Sequence, residues 1–256
     1  MEIRVLGAHN CETKTSSCVS LLIDNKLAVE AGGLTSKLTL DEQAGVEAII
    51  ISHKHMDHIR DIPSLALNSF RRQTSFKLYS TDNVCHAIKD HLLNNEIYPE
   101  FQKIPEDKPT VCFMEIVPLV LQSIGGYAVT AVPVKHAGGA VGYQVKDKKG
   151  RTFFYTGDTG PGIEEAWRHT APQLLIIEVT MHNALEEFAL ATGHLTPRLL
   201  ETELASFRAV NGYLPPILVI HMDAELEPQI KSELETVKEH LQADITIAHE
   251  GMALTV

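Results

Sequence analysis

No stretch of this sequence approaches the roughly 20 consecutive apolar residues that a helix needs to cross a bilayer. The opening MEIRVLGAHN reads as a charged strand and lacks the apolar core of a signal peptide. Both absences predict a cytoplasmic protein with no membrane partner. Cysteine is scarce as well: Cys11, Cys18, Cys85 and Cys112 lie far apart and none forms a Cys-x-x-Cys pair. That pattern excludes a disulfide scaffold and a thiolate metal centre. Positive charge is also in short supply, with 22 Lys and Arg against 33 Asp and Glu, a net −11 that repels a nucleic-acid backbone. The densest basic runs are KDKKGR (146–151), which reads as a solvated hairpin tip around Gly150, and FRRQ (70–73), which can at most line an entrance.

Linkers, low-complexity segments and internal repeats are missing too, so residues 1–256 are expected to form one domain. Along it, EIRVLG, CVSLLID and KLAVEAG read as short strands, with a hairpin turn at Asp24-Asn25-Lys26. Leu40–Gly45 reads as a short helix, Val46–Ser52 as an apolar strand, and Asp61 opens a helix with Pro63 in its first turn. Phe76–Tyr79 predicts a strand, and a helix follows the Ser80/Thr81 cap. Residues 92–118 carry no clear periodicity. In the second half YAVTAVPVKH, the hairpin AVGYQVKD/RTFFYTGD, QLLIIEVT and PPILVIHMD predict strands. Helices are expected over Pro197–Phe207, capped by Thr196, and over 226–242, before the short strands of DITIAHEGMALTV.

The informative feature is where these strands end. Residues 52–59, SHKHMDHI, crowd three histidines and an aspartate behind an apolar strand. Other strands run into His136, Asp158, Glu178 and His221. Strands side by side in one sheet would deliver these ends to a common edge, where a rigid scaffold presents chemistry. His53 and His55, two apart, can project the same way from extended chain, whereas Asp57 and His58 follow once the chain turns into a helix. Two donor pairs facing different directions suit two metal ions. Imidazole and carboxylate are the donors of catalytic Zn²⁺, and Mn²⁺ or Fe²⁺ accept the same set. Each ion needs about three protein ligands, so His136, Asp158 and His221 are the expected partners. Asp158, with two oxygens, is the expected bridge.

S-H-K-H-M-D-H resembles the signature of the metallo-β-lactamase superfamily, and Gly142-Tyr143 after His136, Thr156-Gly157-Asp158-Thr159 and His221 agree with it. The resemblance implies an α/β four-layer αββα sandwich, two mixed sheets face to face with helices outside and two divalent ions at one edge. It implies that His53, His55 and His136 hold one ion, that Asp57, His58 and His221 hold the other, and that Asp158 bridges. Position 55 is histidine where the similar flavodiiron oxygen reductases have glutamate, which favours a hydrolase. His136–Tyr143, Glu178-Val-Thr180, His194-Leu-Thr196 and Glu250-Gly-Met252 resemble the phosphodiesterase branch. In the tRNA 3′-processing endonucleases of that branch, a hydrogen-bonded glutamate–histidine pair sits beside the metals, and Glu178 and His194 match its positions. TSSCVSLLID, LTSKLTLDEQ and TGHLTP resemble the class II cyclic-nucleotide phosphodiesterases.

Two departures bear on substrate. The processing endonucleases carry a long insertion between the third histidine and the bridging aspartate, whereas only a hairpin separates His136 from Asp158 here. The usual early Asp-x-Gly is also Glu30-Ala31-Gly32 in this chain. The expectation is a dinuclear phosphodiesterase that hydrolyses a small phosphodiester, a 3′,5′-cyclic nucleotide by resemblance, with a hydroxide held between the metals. Asp57 would orient the nucleophile, and His194, oriented by Glu178, would protonate the leaving group. The alternatives are a thioester or lactone hydrolase of the same fold, which needs no Glu178–His194 pair, and a nuclease, which needs a basic groove. Members of the branch are often dimers, so a homodimer fits the resemblance. His9 and His182 are placed where they can overhang the site; His86, His91, His169 and His240 read as surface, His249 as structural and Trp167 as core.

Overall fold

The computed structural model describes all 256 residues. The first half supplies β1 (Glu2–Gly7), β2 (Ser20–Ile23), β3 (Leu27–Val29), β4 (Ala48–Ile50), β5 (Phe76–Ser80) and β6 (Val111–Glu115). The second supplies β7 (Leu121–Ile124), β8 (Tyr127–Pro133), β9 (Val141–Lys146), β10 (Thr152–Tyr155), β11 (Leu174–Glu178), β12 (Ile217–Ile220) and β13 (Ile245–Ile247). A last strand, β14 (Ala253–Thr255), returns to the first sheet and pairs antiparallel with β1. The result is two seven-stranded sheets, ordered β14-β1-β2-β3-β4-β5-β6 and β13-β12-β11-β10-β9-β8-β7. Both are mixed: β3 to β6 run parallel in one, and β10 to β13 run parallel in the other.

Each central strand is apolar on both faces, and its alternation sorts side chains between two cores. Ile3, Leu21, Ile23, Leu27, Val29 and Ile50 point between the sheets, where they meet Val129, Tyr143, Phe153, Tyr155, Ile176 and Ile220. The intervening Leu22, Ala28, Ile49 and Ile51 face outward and pack against helices α1 (Leu34–Lys37), α4 (Ile62–Arg71) and α5 (Asp82–His91). Helices α2 (Leu40–Ala44) and α3 (Met56–Ile59) lie in the same half. On the second sheet Phe154, Leu175, Ile177 and Val219 pack under α6 (Glu164–Arg168), α8 (Pro197–Asn211) and α9 (Glu227–Leu241), while α7 (Glu186–Thr192) leads to His194. The layers are therefore helix, sheet, sheet, helix, as the resemblance implied.

Local signals explain the longer helices. In α8, Leu200, Leu204 and Phe207 recur at helical spacing on the buried face, Thr196 caps the Leu199 N–H, and Pro197 takes the first turn. α2 carries a capping box in which Thr39 and Glu42 satisfy each other's backbone. Trp167 is fully buried, its indole N–H donating to Glu203 at 3.2 Å. The expected strand Val46–Ser52 is only Ala48–Ile50: the Val46 N–H bonds Gln43 O in the preceding turn, and the Ser52 N–H turns to Glu30 beyond the ladder. In the segment without clear periodicity, β6 is the one strand, at the edge of its sheet. No helix is long and apolar enough to cross a membrane.

Candidate metal centre

The strand ends do converge, but from two sheets where a single one was expected. Beyond β4 the chain bends at Ser52 and passes through His53, and His55 takes the N-cap position of α3, which carries Asp57 and His58. These come from the first sheet. His136 follows β8, Asp158 follows β10, Glu178 ends β11 and His221 follows β12, all in the second. His221 and Glu30 adopt left-handed backbone, φ 68° and 63°, which is strained for such residues and concentrates at functional sites.

Asp158 is the common member of two donor groups. One is His53, His55, His136 and Asp158; the other is Asp57, His58, Asp158 and His221, with donor atoms in each group within 4.8 Å of one another. His55 Nδ1 faces His136 Nε2 at 3.2 Å, and Asp158 Oδ2 stands 3.7 Å from His53 Nε2 and 3.9 Å from His136 Nε2. In the second group His221 Nε2 lies 3.2 Å from Asp57 Oδ2 and 3.3 Å from Asp158 Oδ2. His58 Nε2 lies 3.3 Å from Asp158 Oδ1 and 3.5 Å from Asp57 Oδ2. All seven residues expected as ligands are thus brought together.

Divalent ions fit these residues. Buried His53 Nε2, both ring nitrogens of His58 and Asp158 Oδ1 have no hydrogen-bond partner. The short His58–Asp158 approach is therefore an ion pair without hydrogen-bond alignment. Each orphaned group costs about 1–3 kcal/mol, so four of them clustered at one point demand a partner. Asp158 joins both groups, which suits a shared carboxylate.

A second layer fixes the ring orientations. His136 Nδ1–H donates to Gly193 O at 2.9 Å, leaving Nε2 as an acceptor toward the cluster. Gly193 ends α7 with φ 75°, and a Cβ there would stand 3.1 Å from His136 Nδ1. Thr180 Oγ1 donates to Glu178 Oε2 at 2.7 Å and accepts from His221 Nδ1–H at 2.9 Å, which turns His221 Nε2 to the cluster. Ser52 Oγ meets His53 Nδ1 at 3.0 Å. Glu30, fully buried, accepts the Ser52 N–H through both oxygens at 3.2 and 3.3 Å and faces His58 Nδ1 at 3.5 Å. The Ala31 N–H donates to His58 O, and Gly32 packs so tightly on α3 that a Cβ would sit 2.0 Å from Asp57 O. Glu30-Ala31-Gly32 thus clamps the His53–His58 segment from below.

Glu178 and His194 form a pair beside the cluster, His194 Nδ1 bonding Glu178 Oε1 at 2.8 Å. The carboxylate also accepts the Thr159 N–H at 3.0 Å and the Leu195 N–H at 3.2 Å, so it is saturated and rigid. The His194 ring stacks on His221, with centroids 5.6 Å apart. Burial alone would lower the His194 pKa, but the Glu178 carboxylate prevails and raises it to about 9.

The other charges follow the same logic. Burial, then the neighbouring His58, holds His53 well below the ordinary imidazole value, and burial and His136 lower His55. Burial opposes ionisation of Asp158 and Asp57, yet His221 and His58 hold both carboxyls below their usual range. Neutral imidazoles and ionised carboxylates are the forms that bind metal. His58, despite burial, is raised well above its ordinary value by Asp158 and Glu30. A site that grips a proton between carboxylates is one where a dication competes for the same position.

His9 lies against the site but not in it. Its Nδ1 bonds Glu250 Oε1 at 2.7 Å and its Nε2 faces Glu227 Oε2 at 3.3 Å. Glu250 also accepts the Ser17 and Ala8 N–H groups, tying the turn before β14 to the end of β1. His182 caps the short helix Asn183–Leu185, His86 and His169 pair with exposed carboxylates, and His240 pairs with the half-buried Glu201. Asn68 Nδ2 and Arg72 Nη1 bond Gln43 and Asp41 within the first half. Sequence reasoning gave no separate role to Ser52 and Thr180; the available signal was a hydroxyl one residue before His53 and another two residues after Glu178.

The profile of the beta-lactamase superfamily domain matches residues 22–222. A 3′,5′-cyclic-nucleotide phosphodiesterase of Aliivibrio fischeri is 24% identical over 230 aligned residues, covering 73% of this chain and 68% of that protein. Among solved structures, unliganded yeast PDE1 superposes with a TM-score of 0.85 at 18% identity, covering 100% of this chain and 99% of that one. The short form of human tRNase Z gives 0.70 at 17% identity over 100% and 99% of the two chains.

Proposed function

Because the chain belongs to the beta-lactamase superfamily, we propose that it is a dinuclear phosphodiesterase acting on a small phosphodiester, with a 3′,5′-cyclic nucleotide as substrate. The observation that carries this reading is the arrangement of two donor groups sharing Asp158 beside the Glu178–His194 pair. His53, His55 and His136 would hold one divalent ion and Asp57, His58 and His221 the other, Zn²⁺ by the chemistry of the donors. When bound, such ions make water acidic enough to be a nucleophile near neutral pH and neutralise charge growing on the phosphoryl oxygens.

The chain's own residues do the rest. Asp57 Oδ2 stands at the mouth of the second group, less buried than Asp158, and can orient a water and take up its proton. His194 has Nδ1 engaged by Glu178, so Nε2 is its free nitrogen, and the raised pKa keeps the ring protonated at neutral pH. That proton can pass to the departing ribose oxygen, a poor leaving group without it. A carboxyl-derivative hydrolase has less need of such a donor. A nuclease would need a basic groove, and the chain's net charge of −11 opposes one.

The test is turnover of 3′,5′-cyclic AMP and of bis(p-nitrophenyl) phosphate by protein with quantified metal. Both activities with about two ions per chain are expected. Chromogenic turnover alone would remove the cyclic nucleotide as substrate, and two bound metals with neither activity would overturn the phosphodiesterase reading.

A further inference from the structure

The first donor group is assembled from two pieces of chain that share no sheet. His53 and His55 belong to the segment after β4, and His136 to the loop between β8 and β9. That loop is pinned at its base, where the Val141 N–H donates to Ser52 O at 3.2 Å. Its tip, Gly138-Gly139, has left-handed backbone at φ 68° and 76° and belongs to no strand. What reaches the tip is Asn83, an exposed residue in the first turn of α5, whose Nδ2–H donates to Gly138 O at 2.7 Å. The same amide accepts through Oδ1 from Lys54 Nζ at 3.1 Å, and Lys54 lies between His53 and His55. A Cβ on Gly138 would stand 3.3 Å from Lys54 Cε, so these residues are packed as well as bonded.

An amide suits this place chemically. Gly138 O can only accept and the Lys54 ammonium can only donate, so the residue between them must offer both roles, and the two partners fix which way the amide faces. Aspartate would set an oxygen against Gly138 O, and alanine would reach neither partner. Asn83 thus joins the segment that carries two histidines of the first group to the loop that carries the third. The second group is supported elsewhere: Glu30 faces His58 Nδ1, and Thr180 orients His221, with no part taken by Asn83.

Taking the two-ion reading proposed above, we infer that Asn83 is a positioning residue for the first donor group alone. It sets the spacing of His53 and His55 against His136, and through that spacing the affinity for one ion of the two. The side chain touches no donor atom of the cluster, so it acts only through the two pieces of chain that it holds together.

The experiment withdraws Zn²⁺ from the holoprotein with a chromophoric chelator, resolving the bound ions by affinity, for the parent, Asn83→Ala and Asn83→Asp. His55→Ala serves as the marker for the ion of the first group. Position 83 is exposed and in a helix that accepts alanine readily, so the fold is kept. The ion that His55→Ala loses is expected to be held about tenfold more weakly in both Asn83 variants, and the other ion as in the parent. Tenfold is the lower end of what outer partners of metal ligands are worth, as befits an exposed bridge. Parental affinity in both variants overturns the inference, and so does a loss shared equally by both ions. A loss confined to Asn83→Ala overturns it too, because aspartate keeps the Lys54 contact and gives up only the Gly138 bond. A parent that binds fewer than two ions removes the two-ion reading and the inference with it.

Discussion

Replacing His194 with alanine removes the proposed proton donor and should leave the donor cluster alone. His194 belongs to neither group that shares Asp158, and Glu178 keeps three of its partners, the Thr159 and Leu195 N–H groups and the Thr180 hydroxyl. The fold and the bound metal should therefore persist. Loss of a general acid costs about 10²–10⁴ in rate, or about 3–5 kcal/mol of transition-state stabilisation. That cost applies in full to a ribose alkoxide and far less to p-nitrophenolate, which leaves without help. Steady-state rates on 3′,5′-cyclic AMP and on bis(p-nitrophenyl) phosphate, with metal measured by mass spectrometry, separate the two. The expected result is a large loss on the cyclic nucleotide, a small one on the chromogenic diester, and unchanged metal. The pH profile adds a sign. Glu178 favours the acid form of His194, which is lost at alkaline pH, so parental turnover should fall on the alkaline side of the profile and the variant should lack that limb. Equal losses on both substrates would refute the acid role, and lost metal would make His194 a ligand.

Asp158→Asn weakens the donor both groups share; since outer partners of metal ligands are worth 10–100-fold in affinity, metal binding should fall by more than about 100-fold in competition with a chelator. Glu30→Ala strands the buried Ser52 N–H, a cost of about 1–3 kcal/mol, which calorimetry should read as about 2–4 °C of melting temperature per kcal/mol. Glu250, its pKa lowered from 4.5 to about 2 chiefly by His9 and the Ser17 N–H against the burial that raises it, stabilises the fold above pH 4.5. Because the folded value is the depressed one, that contribution is lost as pH falls from 4.5 to about 2. Denaturation of metal-free protein should therefore show a steeper stability loss in that window for the parent than for Glu250→Gln.

The residues that meet at the centre were legible because their chemistry is conspicuous and sits at strand ends. SHKHMDHI, His136, Asp158 and His221 are strong donors placed after apolar runs, where burial would otherwise be costly. What could not be read is which sheet each strand joins. KLAVEAG and QLLIIEVT are equally apolar, and only pairing partners far along the chain place β3 in one sheet and β11 in the other. Strand ends that looked like neighbours in one sheet thus face each other across two. The outer layer was obscure for a different reason. Thr180 and Ser52 are ordinary hydroxyls in sequence, and their roles come from ring nitrogens that the fold brings within 3.0 Å. Residues 92–118 were opaque because they are mostly loop, and the edge strand β6 has one face on solvent.

The division of donors between the two halves carries a consequence for synthesis. A ribosome releases His53, His55, Asp57 and His58 early, while the residues that complete either group, His136, Asp158 and His221, are still to be made. Neither group that shares Asp158 is complete within one half, so a chain stopped before Asp158 has neither of them finished. On the dinuclear reading proposed above, metal uptake would come last in maturation, open only to a polypeptide whose two sheets have already found each other. Ions held there would span the seam of the molecule, and opening the seam would release them.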